Sequence, residues 1–298
     1  MPLHSPEFSV SEFTTWHQSF EEDVALYREL GVDGIEVCER KLSDDPGRAR
    51  EQLQELKRMG QGGQGRLKVT SVQPRVHALF CDFMCPDVQE PEARLARYRQ
   101  SIDLFSPVFA GENLPMVTIG GNAPGSNFRL AHETARALYP KLADYAAERG
   151  MRIMFEPLNP ILMNNDTFIC TLDDAMRLID DVGRDNFGLM LDLWHIFREP
   201  NIAERIANLG DRIFAVHISD YPKEEVRHPA DRLIPGTGVI DLPKLLGAIE
   251  RTGYRGAYCL EIFSADHLAG SLWQADAREV IVQSREGFRR AWDARTPG

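Results

Sequence analysis

The sequence lacks the features of membrane-spanning, secreted and nucleic-acid-binding proteins. No apolar run approaches the roughly eighteen residues of a membrane span, and the start, MPLHSPEFSV, has neither the basic nor the apolar region of a signal peptide. Five cysteines in 298 residues are an odd number and do not form a disulfide framework. The formal net charge of -11 argues against a general nucleic-acid binder, which neutralises phosphates with Lys and Arg. We therefore expect a cytoplasmic protein that binds neither membrane nor nucleic acid.

Short apolar, β-rich runs recur along the chain with helical patterns between them. Most of these runs are apolar without alternation, which is typical of strands covered on both faces. The eight runs are EFSV (7–10), GIEV (34–37), LKVTSV (67–72), PMVTIG (115–120), RIMFE (152–156), FGLMLD (187–192), IFAVHI (213–218) and AYCLEI (257–262).

The segments between these runs carry helix start signals. Ser19 is followed three residues later by Glu22, which predicts a capping box. Thr171 and Asp241 precede two further helical patterns as cap residues, and residues 127–150 hold a long amphipathic pattern. The chain therefore alternates strands and helices.

Eight strands alternating with about eight helices predict an α/β protein with a single (β/α)₈ TIM barrel. A doubly wound open sheet is the main competitor. It would ordinarily carry a glycine-rich phosphate-binding fingerprint after the first strand, and SVSEFTTW at 9–16 has none. No linker divides the chain, so we expect one barrel domain over residues 1–298.

Four polar residues end four successive predicted strands. They are Glu156, Asp192, His217 and Glu261. Taken singly, each has a plain structural explanation as a cap, a solvated acid or a core histidine. Because the carboxyl ends of barrel strands converge on one face, the four together predict a shared pocket. Three carboxylates and an imidazole in one pocket need a cation to offset their repulsion. Their oxygen-rich ligation favours one Mn²⁺, Mg²⁺ or Co²⁺ ion, with Zn²⁺ and Fe²⁺ as alternatives.

Five stretches of the second half carry a resemblance to a known family. MFEPLNP, LMLDLWH, VHISD, RLIPGTGVID and CLEIF resemble the motifs of the xylose isomerase-like TIM-barrel family, and LGVDGIEV is similar to its second strand. That family includes ketose 3-epimerases, hydroxypyruvate isomerases, inosose isomerases and dehydratases and, more distantly, endonuclease IV. The motif order is fairly specific to the superfamily and poorly specific within it.

The resemblance implies one divalent metal ion held by Glu156, Asp192, His217 and Glu261. It also implies that Glu156 and Glu261 face each other across a sugar carbon as an acid/base pair. The metal would polarise the substrate carbonyl, and a carboxylate would remove the neighbouring proton to give a cis-enediolate. Returning the proton to the opposite face epimerises the centre, and returning it to the adjacent carbon isomerises the sugar. We therefore expect a metal-dependent isomerase or epimerase of a ketose or related polyol carbonyl compound.

The resemblance further implies substrate contacts from His195 and from Arg232. The alternatives are a structural histidine and a surface ion pair on a long loop. The remaining candidates for substrate binding lie at or after strand ends: Glu36, Gln73, His77, Asn159, Trp16 and Phe13. Alternatively, Glu36 holds a neighbouring loop and Trp16 packs against one. Relatives often form dimers or tetramers, so a homo-oligomer is an open alternative to a monomer.

The chain departs from the ketose 3-epimerases at one position. Those enzymes carry a second glutamate shortly after the metal-binding one, and here Leu162 stands where that acid is expected. A metal-dependent dehydratase of the inosose type is therefore a serious rival, since the same enediolate can expel a β-hydroxyl. A barrel that only binds a sugar or cyclitol is a third hypothesis, against which the presence of both Glu156 and Glu261 speaks. The acidic balance and scarcity of strand-end histidines argue against endonuclease IV.

Overall fold

The eight predicted strands are present and close into one barrel. The computed structural model describes residues 5–63, 65–86, 90–223, 228 and 231–295. Each strand lies beside the next in chain order and the last beside the first, so the (β/α)₈ barrel prediction is confirmed. The strands are β1 Phe8–Ser11, β2 Gly34–Cys38, β3 Lys68–Gln73, β4 Pro115–Thr118, β5 Arg152–Phe155, β6 Phe187–Asp192, β7 Ile213–Ile218 and β8 Tyr258–Leu260.

Helices separate the strands, and their start signals act as predicted. The helices are α1 Phe20–Glu29, α2 Pro46–Gly60, α3 Pro91–Phe105, α4 Phe128–Ala147, α5 Leu172–Val182, α6 Leu193–Ile196, α7 Ile202–Ala207, α8 Leu242–Arg251 and α9 Ala277–Asp293. Ser19 and Glu22 form both halves of the capping box of α1. Thr171 accepts from the Asp174 amide at the start of α5, and Asp241 accepts from the Lys244 amide at the start of α8.

Three of the strands, β4, β5 and β8, end earlier than predicted, and the ends of β5 and β8 lie at two of the candidate ligands. β5 stops at Phe155 and β8 at Leu260, so Glu156 and Glu261 are each the first residue after their strand. The Glu156 amide still donates to the Thr118 carbonyl, but Pro157 has no amide hydrogen to continue the ladder. Each glutamate therefore stands at a strand end, where the backbone turns away from the sheet.

Contacts group the barrel into two compact units. The first contains Met1–Val37, Met59–Thr70 and Asp192–Gly298. In it, β1 pairs with β2 and β8, and β7 pairs with β8, which sets His217 beside Cys259. Helix α9 covers this sheet with aromatic rings, and Phe288 lies 5.3 Å from Tyr258 between ring centroids. The first unit therefore has an aromatic core where α9 packs against β1 and β8.

The second unit contains Cys38–Arg58 and Ser71–Leu191. Its β4 and β5 pair in parallel, with Thr118 beside Phe155. Tyr139 of α4 packs edge-on against Phe155, and its hydroxyl donates to the Ile119 carbonyl. The second unit therefore has its own packed core. The prediction of one domain over residues 1–298 stays a prediction.

Two findings concern the helices and the cysteines of the part of the chain that the structure describes. No described helix is long and apolar enough to cross a membrane. All five cysteines lie within the described ranges and are free thiols.

Candidate metal centre and active site

The four strand-end residues predicted to share a pocket lie together. One carboxylate oxygen from each of Glu156, Asp192 and Glu261 and one ring nitrogen of His217 are all within 4.8 Å of one another. All four side chains are buried. Buried carboxylates at this density repel one another unless a positive charge compensates them. The donor set, three carboxylates and one imidazole, fits a divalent cation.

Asp192 is held by the start of helix α6. Its Oδ1 accepts from the Trp194 amide at 2.7 Å, as a helix-capping carboxylate does. This bond uses one carboxylate oxygen and orients the other. The second oxygen, Oδ2, lies 2.7 Å from the Arg232 guanidinium. The local sequence DLWH therefore fixes the direction in which this acid points.

Arg232 bridges two of the candidate ligands. Its Nη1 lies 2.7 Å from Asp192 Oδ2 and 2.7 Å from Glu261 Oε2. Arg232 is 4% exposed, so the alternative of a surface ion pair is wrong. Burial alone would raise the pKa of Asp192, but Arg232, His195 and His217 outweigh it and lower that pKa to about 2. Arg232 therefore supplies much of the positive charge at this centre.

His217 lies between two carboxylates. Its Nε2 is 3.0 Å from Glu36 Oε2, and its Nδ1 is 3.2 Å from Glu261 Oε2. Burial tends to lower the pKa of His217, but Glu261 and Glu36 reverse this and hold it well above its usual range. Glu36, His217 and Cys259 form a second buried group with ligand atoms within 4.8 Å of one another. The predicted contact of Glu36 with substrate stays a prediction.

His195 lies in α6, next to the same charges. Arg232 Nη2 is 3.3 Å from His195 Nε2, and because a guanidinium can only donate, this nitrogen accepts. Burial lowers the pKa of His195 to about 3, with Arg232 adding to the effect and Asp192 opposing it. His195 is therefore a neutral imidazole at physiological pH. Its predicted contact with substrate oxygens stays a prediction.

In the second unit, Asn159 and Leu162 follow Glu156 in the chain. Asn159 is fully buried, and its Oδ1 accepts from the Ile161 amide at 3.1 Å. Leu162 packs against Ala78, Ile119 and Leu158, which form a small apolar cluster. The position at which an acid was expected is therefore built into apolar packing, and Asn159 has its side-chain oxygen engaged in a turn.

Gln73 ends β3 and His77 lies in the loop after it, and both side chains are buried. Burial lowers the pKa of His77, and nearby Arg40 and Arg94 add to this while Asp82 opposes it. The loop itself is anchored by Arg94, which donates to the Ala78 and Cys85 carbonyls and to Asp82. The predicted substrate role of His77 is not tested by these contacts.

Trp16 and Phe13 belong to an aromatic cluster of the first unit. The Trp16 and Trp273 rings stack at 5.9 Å between centroids, and the Phe13 and Phe263 rings lie 4.8 Å apart. Trp273 Nε1 donates to the Phe13 and Ile262 carbonyls. The centroid of the Phe263 ring also lies 5.1 Å from the Arg232 guanidinium carbon. The cluster of Trp16 and Phe13 thus includes two aromatic residues, Trp273 and Phe263, that sequence reasoning did not select. The predicted contacts of Trp16 and Phe13 with substrate stay predictions.

Asp220 is a structural residue of the site that sequence reasoning also missed. Its carboxylate is fully buried and accepts four backbone amides, from Tyr221, Gly236, Gly238 and Ile240. These bonds shape the loop that carries Arg232. Gly236 has φ +84°, which only glycine adopts without strain. The motif VHISD indicated this role, because its final acid directly precedes the loop whose backbone amides it binds.

The match to a family decides the chain's classification. The family model described as xylose isomerase-like TIM barrel matches residues 24–291. The chain belongs to this family. The predicted resemblance is therefore confirmed, and the centre described above occupies the barrel of a family member.

Three similar proteins illustrate the range of this family. L-ribulose 3-epimerase from Methylomonas sp. (strain DH-1) is 31% identical over 147 residues, which are 49% of this chain and 47% of that enzyme. 3-Dehydroshikimate dehydratase from Pseudomonas aeruginosa is 29% identical over 241 residues, which are 78% of this chain and 34% of that enzyme. The chain thus aligns with less than half of the length of either curated relative. The solved structure of the IolI protein with a bound zinc atom superposes with a TM-score of 0.73 at 20% identity, over 96% of this chain and 97% of that one.

Proposed function

We propose that this chain is a divalent-metal-dependent isomerase or epimerase that acts on a ketose or related polyol carbonyl compound through a cis-enediolate. The observation that carries the proposal is the buried cluster of Glu156, Asp192, His217 and Glu261, whose donor atoms lie within 4.8 Å of one another. The relatives named above act as a sugar epimerase and a dehydratase, which supports an enzyme of small polyhydroxy substrates.

The donor set supports a resident divalent cation. Three buried carboxylates with one imidazole suit Mn²⁺, Mg²⁺ or Co²⁺, with Zn²⁺ and Fe²⁺ as alternatives. Among the similar structures, that of the IolI protein contains zinc. When bound, such a cation would act as a Lewis acid that acidifies the C–H next to the substrate carbonyl.

The chain's own residues supply the proton transfers and the orientation of the substrate. In this proposal one of Glu156 and Glu261 takes the proton from carbon, and the other returns a proton to the opposite face. Positioned acid/base groups of this kind contribute about 10²–10⁴-fold to a rate. His195, neutral because it is buried, offers hydrogen bonds at physiological pH without changing the charge of the site. Arg232 adds donors and positive charge beside Glu261.

A dehydratase is the second candidate, and one observation favours it. Leu162 packs in an apolar cluster, so it offers no acid to bind the hydroxylated end of a ketose. A dehydratase would share the enediolate and differ in expelling a β-hydroxyl. The substrate would then be a cyclitol-like ring compound instead of a linear ketose.

The metal is tested first. We expect elemental analysis of the purified protein to give about one divalent ion per chain, by analogy with single-metal sites of this donor type. Glu156→Gln and Glu261→Gln should each abolish turnover. Glu39→Gln is the matched control, because Glu39 is also a buried glutamate but pairs with Arg97 and Ser101 away from the cluster. Absence of metal together with no activity on adding Mn²⁺, Mg²⁺ or Co²⁺ would refute the proposal.

The reaction is tested by incubating a panel of ketoses and cyclitols in D₂O and following it by NMR. Deuterium uptake at carbon without loss of water would identify an isomerase or epimerase. An unsaturated or deoxy product would identify a dehydratase. Binding without either change would support the non-catalytic sugar-binding barrel. Cytoplasmic location and homo-oligomerisation stay predictions that these experiments do not address.

A further inference from the structure

Glu36 is a fully buried carboxylate that faces the ring of a candidate metal ligand. It lies in β2, whereas His217 lies in β7, and both side chains have no exposed surface. Glu36 Oε2 is 3.0 Å from His217 Nε2. An ionised carboxylate only accepts hydrogen bonds, so Nε2 carries the proton and donates it. The other ring nitrogen, Nδ1, faces the Glu261 carboxylate and is the one that would give up its proton to a cation.

The direction of Nδ1 matches this arrangement. His217 Nδ1 lies 3.2 Å from Glu261 Oε2 and 3.9 Å from Asp192 Oδ2, so it points toward the other candidate ligands. The opposite side of the ring meets Glu36, which is fully buried. The two ring nitrogens of His217 therefore face different groups. Because Glu36 lies beside Nε2, Nδ1 is the nitrogen that faces the other candidate ligands.

We propose that Glu36 is a positioning residue, which holds the His217 ring in the Nε2–H tautomer and presents Nδ1 to the divalent metal of the centre. This inference rests on the metal centre of the proposed function. It replaces the predicted substrate contact of Glu36 with a role that acts through His217. Carboxylates that accept the second N–H of a metal-bound histidine raise its basicity and fix its orientation, and their loss typically costs about 10–100-fold in metal affinity.

The neighbouring Cys259 does not provide the same function. Burial raises the pKa of the Cys259 thiol to about 12, so it stays a neutral, weak hydrogen-bonding group at physiological pH. The grouping of Glu36, His217 and Cys259 also allows a contrary hypothesis, in which these three atoms hold a second cation. In that case Glu36 would be a ligand, and the protein would bind two metal ions.

Zinc titration calorimetry on the full chain separates these hypotheses. Zn²⁺ is the probe because it is diamagnetic and accepts imidazole ligands. We expect one Zn²⁺ per chain in the wild type and an affinity about 10–100-fold weaker in Glu36→Ala. Glu36→Gln should lose less, because its amide oxygen can still accept from Nε2. Glu39→Gln, which alters a buried glutamate away from the cluster, should leave the affinity unchanged.

Nitrogen-15 NMR of the zinc-loaded, histidine-labelled protein reads the tautomer directly. The His217 signals are assigned by their absence in His217→Gln. We expect a protonated Nε2 and a metal-bound Nδ1 in the wild type, and loss of this fixed pattern in Glu36→Ala. If Glu36→Ala does not fold, Glu36→Gln decides, and it should show reduced affinity with a less uniform tautomer.

Each contrary result has a distinct meaning. Metal bound through Nε2, two zinc ions per chain, or Glu36 variants with wild-type affinity and tautomer would overturn the positioning role. In those cases the metal centre itself would stand. No zinc binding by the wild type would instead refute the metal centre of the proposed function, and with it this inference.

Discussion

Replacing Arg232 by glutamine should destabilise the metal-free protein strongly and the metal-loaded protein much less. The guanidinium is buried and lies 2.7 Å from both Asp192 and Glu261. Removing one partner from a buried ion pair costs about 3–5 kcal/mol, because the other charge stays buried without compensation. At about 2 °C per kcal/mol, the lower end of the range for domains of this size, the expected loss of Tm is about 6–10 °C.

A divalent cation should offset this loss because it places positive charge among the same carboxylates. At a free concentration of 100 times Kd, a ligand stabilises the folded state by about 2.7 kcal/mol. The gain in Tm on adding Mn²⁺ should be larger in Arg232→Gln than in the wild type, since the guanidinium no longer competes for Asp192 and Glu261. The assay is thermal denaturation by circular dichroism, in EDTA and in excess MnCl₂.

The control for Arg232→Gln is Arg129→Gln, because Arg129 pairs with Glu133 on the surface with 77% of its side chain exposed. Exposed pairs contribute about 0–1 kcal/mol, so this change should leave Tm nearly constant. If Arg232→Gln loses the same stability with and without Mn²⁺, the guanidinium does not compensate the charge of the metal site. In EDTA, a Tm within about 2 °C of the wild type would correspond to a stability loss of less than about 1 kcal/mol. That result would refute the burial argument altogether.

Three further predictions concern the rest of the barrel. Asp82→Ala should lower the free energy of unfolding in urea denaturation by about 3–5 kcal/mol, because it leaves the buried Arg94 guanidinium without its carboxylate partner. A loss equal to that of Arg129→Gln would contradict this expectation. The folded-state pKa of His77 is lowered by burial, so its contribution to stability is present above about pH 6.5 and is lost as the pH falls toward the folded pKa. His77→Gln should therefore flatten the dependence of unfolding free energy on pH below that value, and an unchanged slope would count against it. Gly238→Ala should cost about 1–3 kcal/mol in the same assay, because its new Cβ would clash with a backbone carbonyl; wild-type stability would show that the loop relaxes freely.

The sequence was sufficient to predict the fold. Doubly buried strands are apolar without alternation, and helices α1, α5 and α8 begin at residues whose side chains cap backbone amides, so both patterns are local. The ends of β4, β5 and β8 were less accurate. Glu156 and Glu261 are each the first residue after their strand, because a strand boundary depends on pairing with its neighbours as well as on its own composition.

The candidate ligands were also predicted from the sequence alone, since each lies at or next to the carboxyl end of a strand, and these ends converge in a barrel. Their chemical roles stay predictions. The aromatic extension through Trp273 and the amide-binding carboxylate of Asp220 were missed, because the partners of both residues are distant in the chain and come together only in the folded loops.

Sequence by itself thus determined the barrel, its order of strands and the identity of the four polar residues at its mouth. Only the tertiary structure decided what each of them faces. Glu36 and His217 are 181 residues apart, and Arg232 contacts Asp192 across 40 residues and Glu261 across 29. Such contacts leave no periodic or local signal in the chain. They arise because barrel closure brings distant strand ends into a buried space, where charges must be paired with whatever partner the fold supplies.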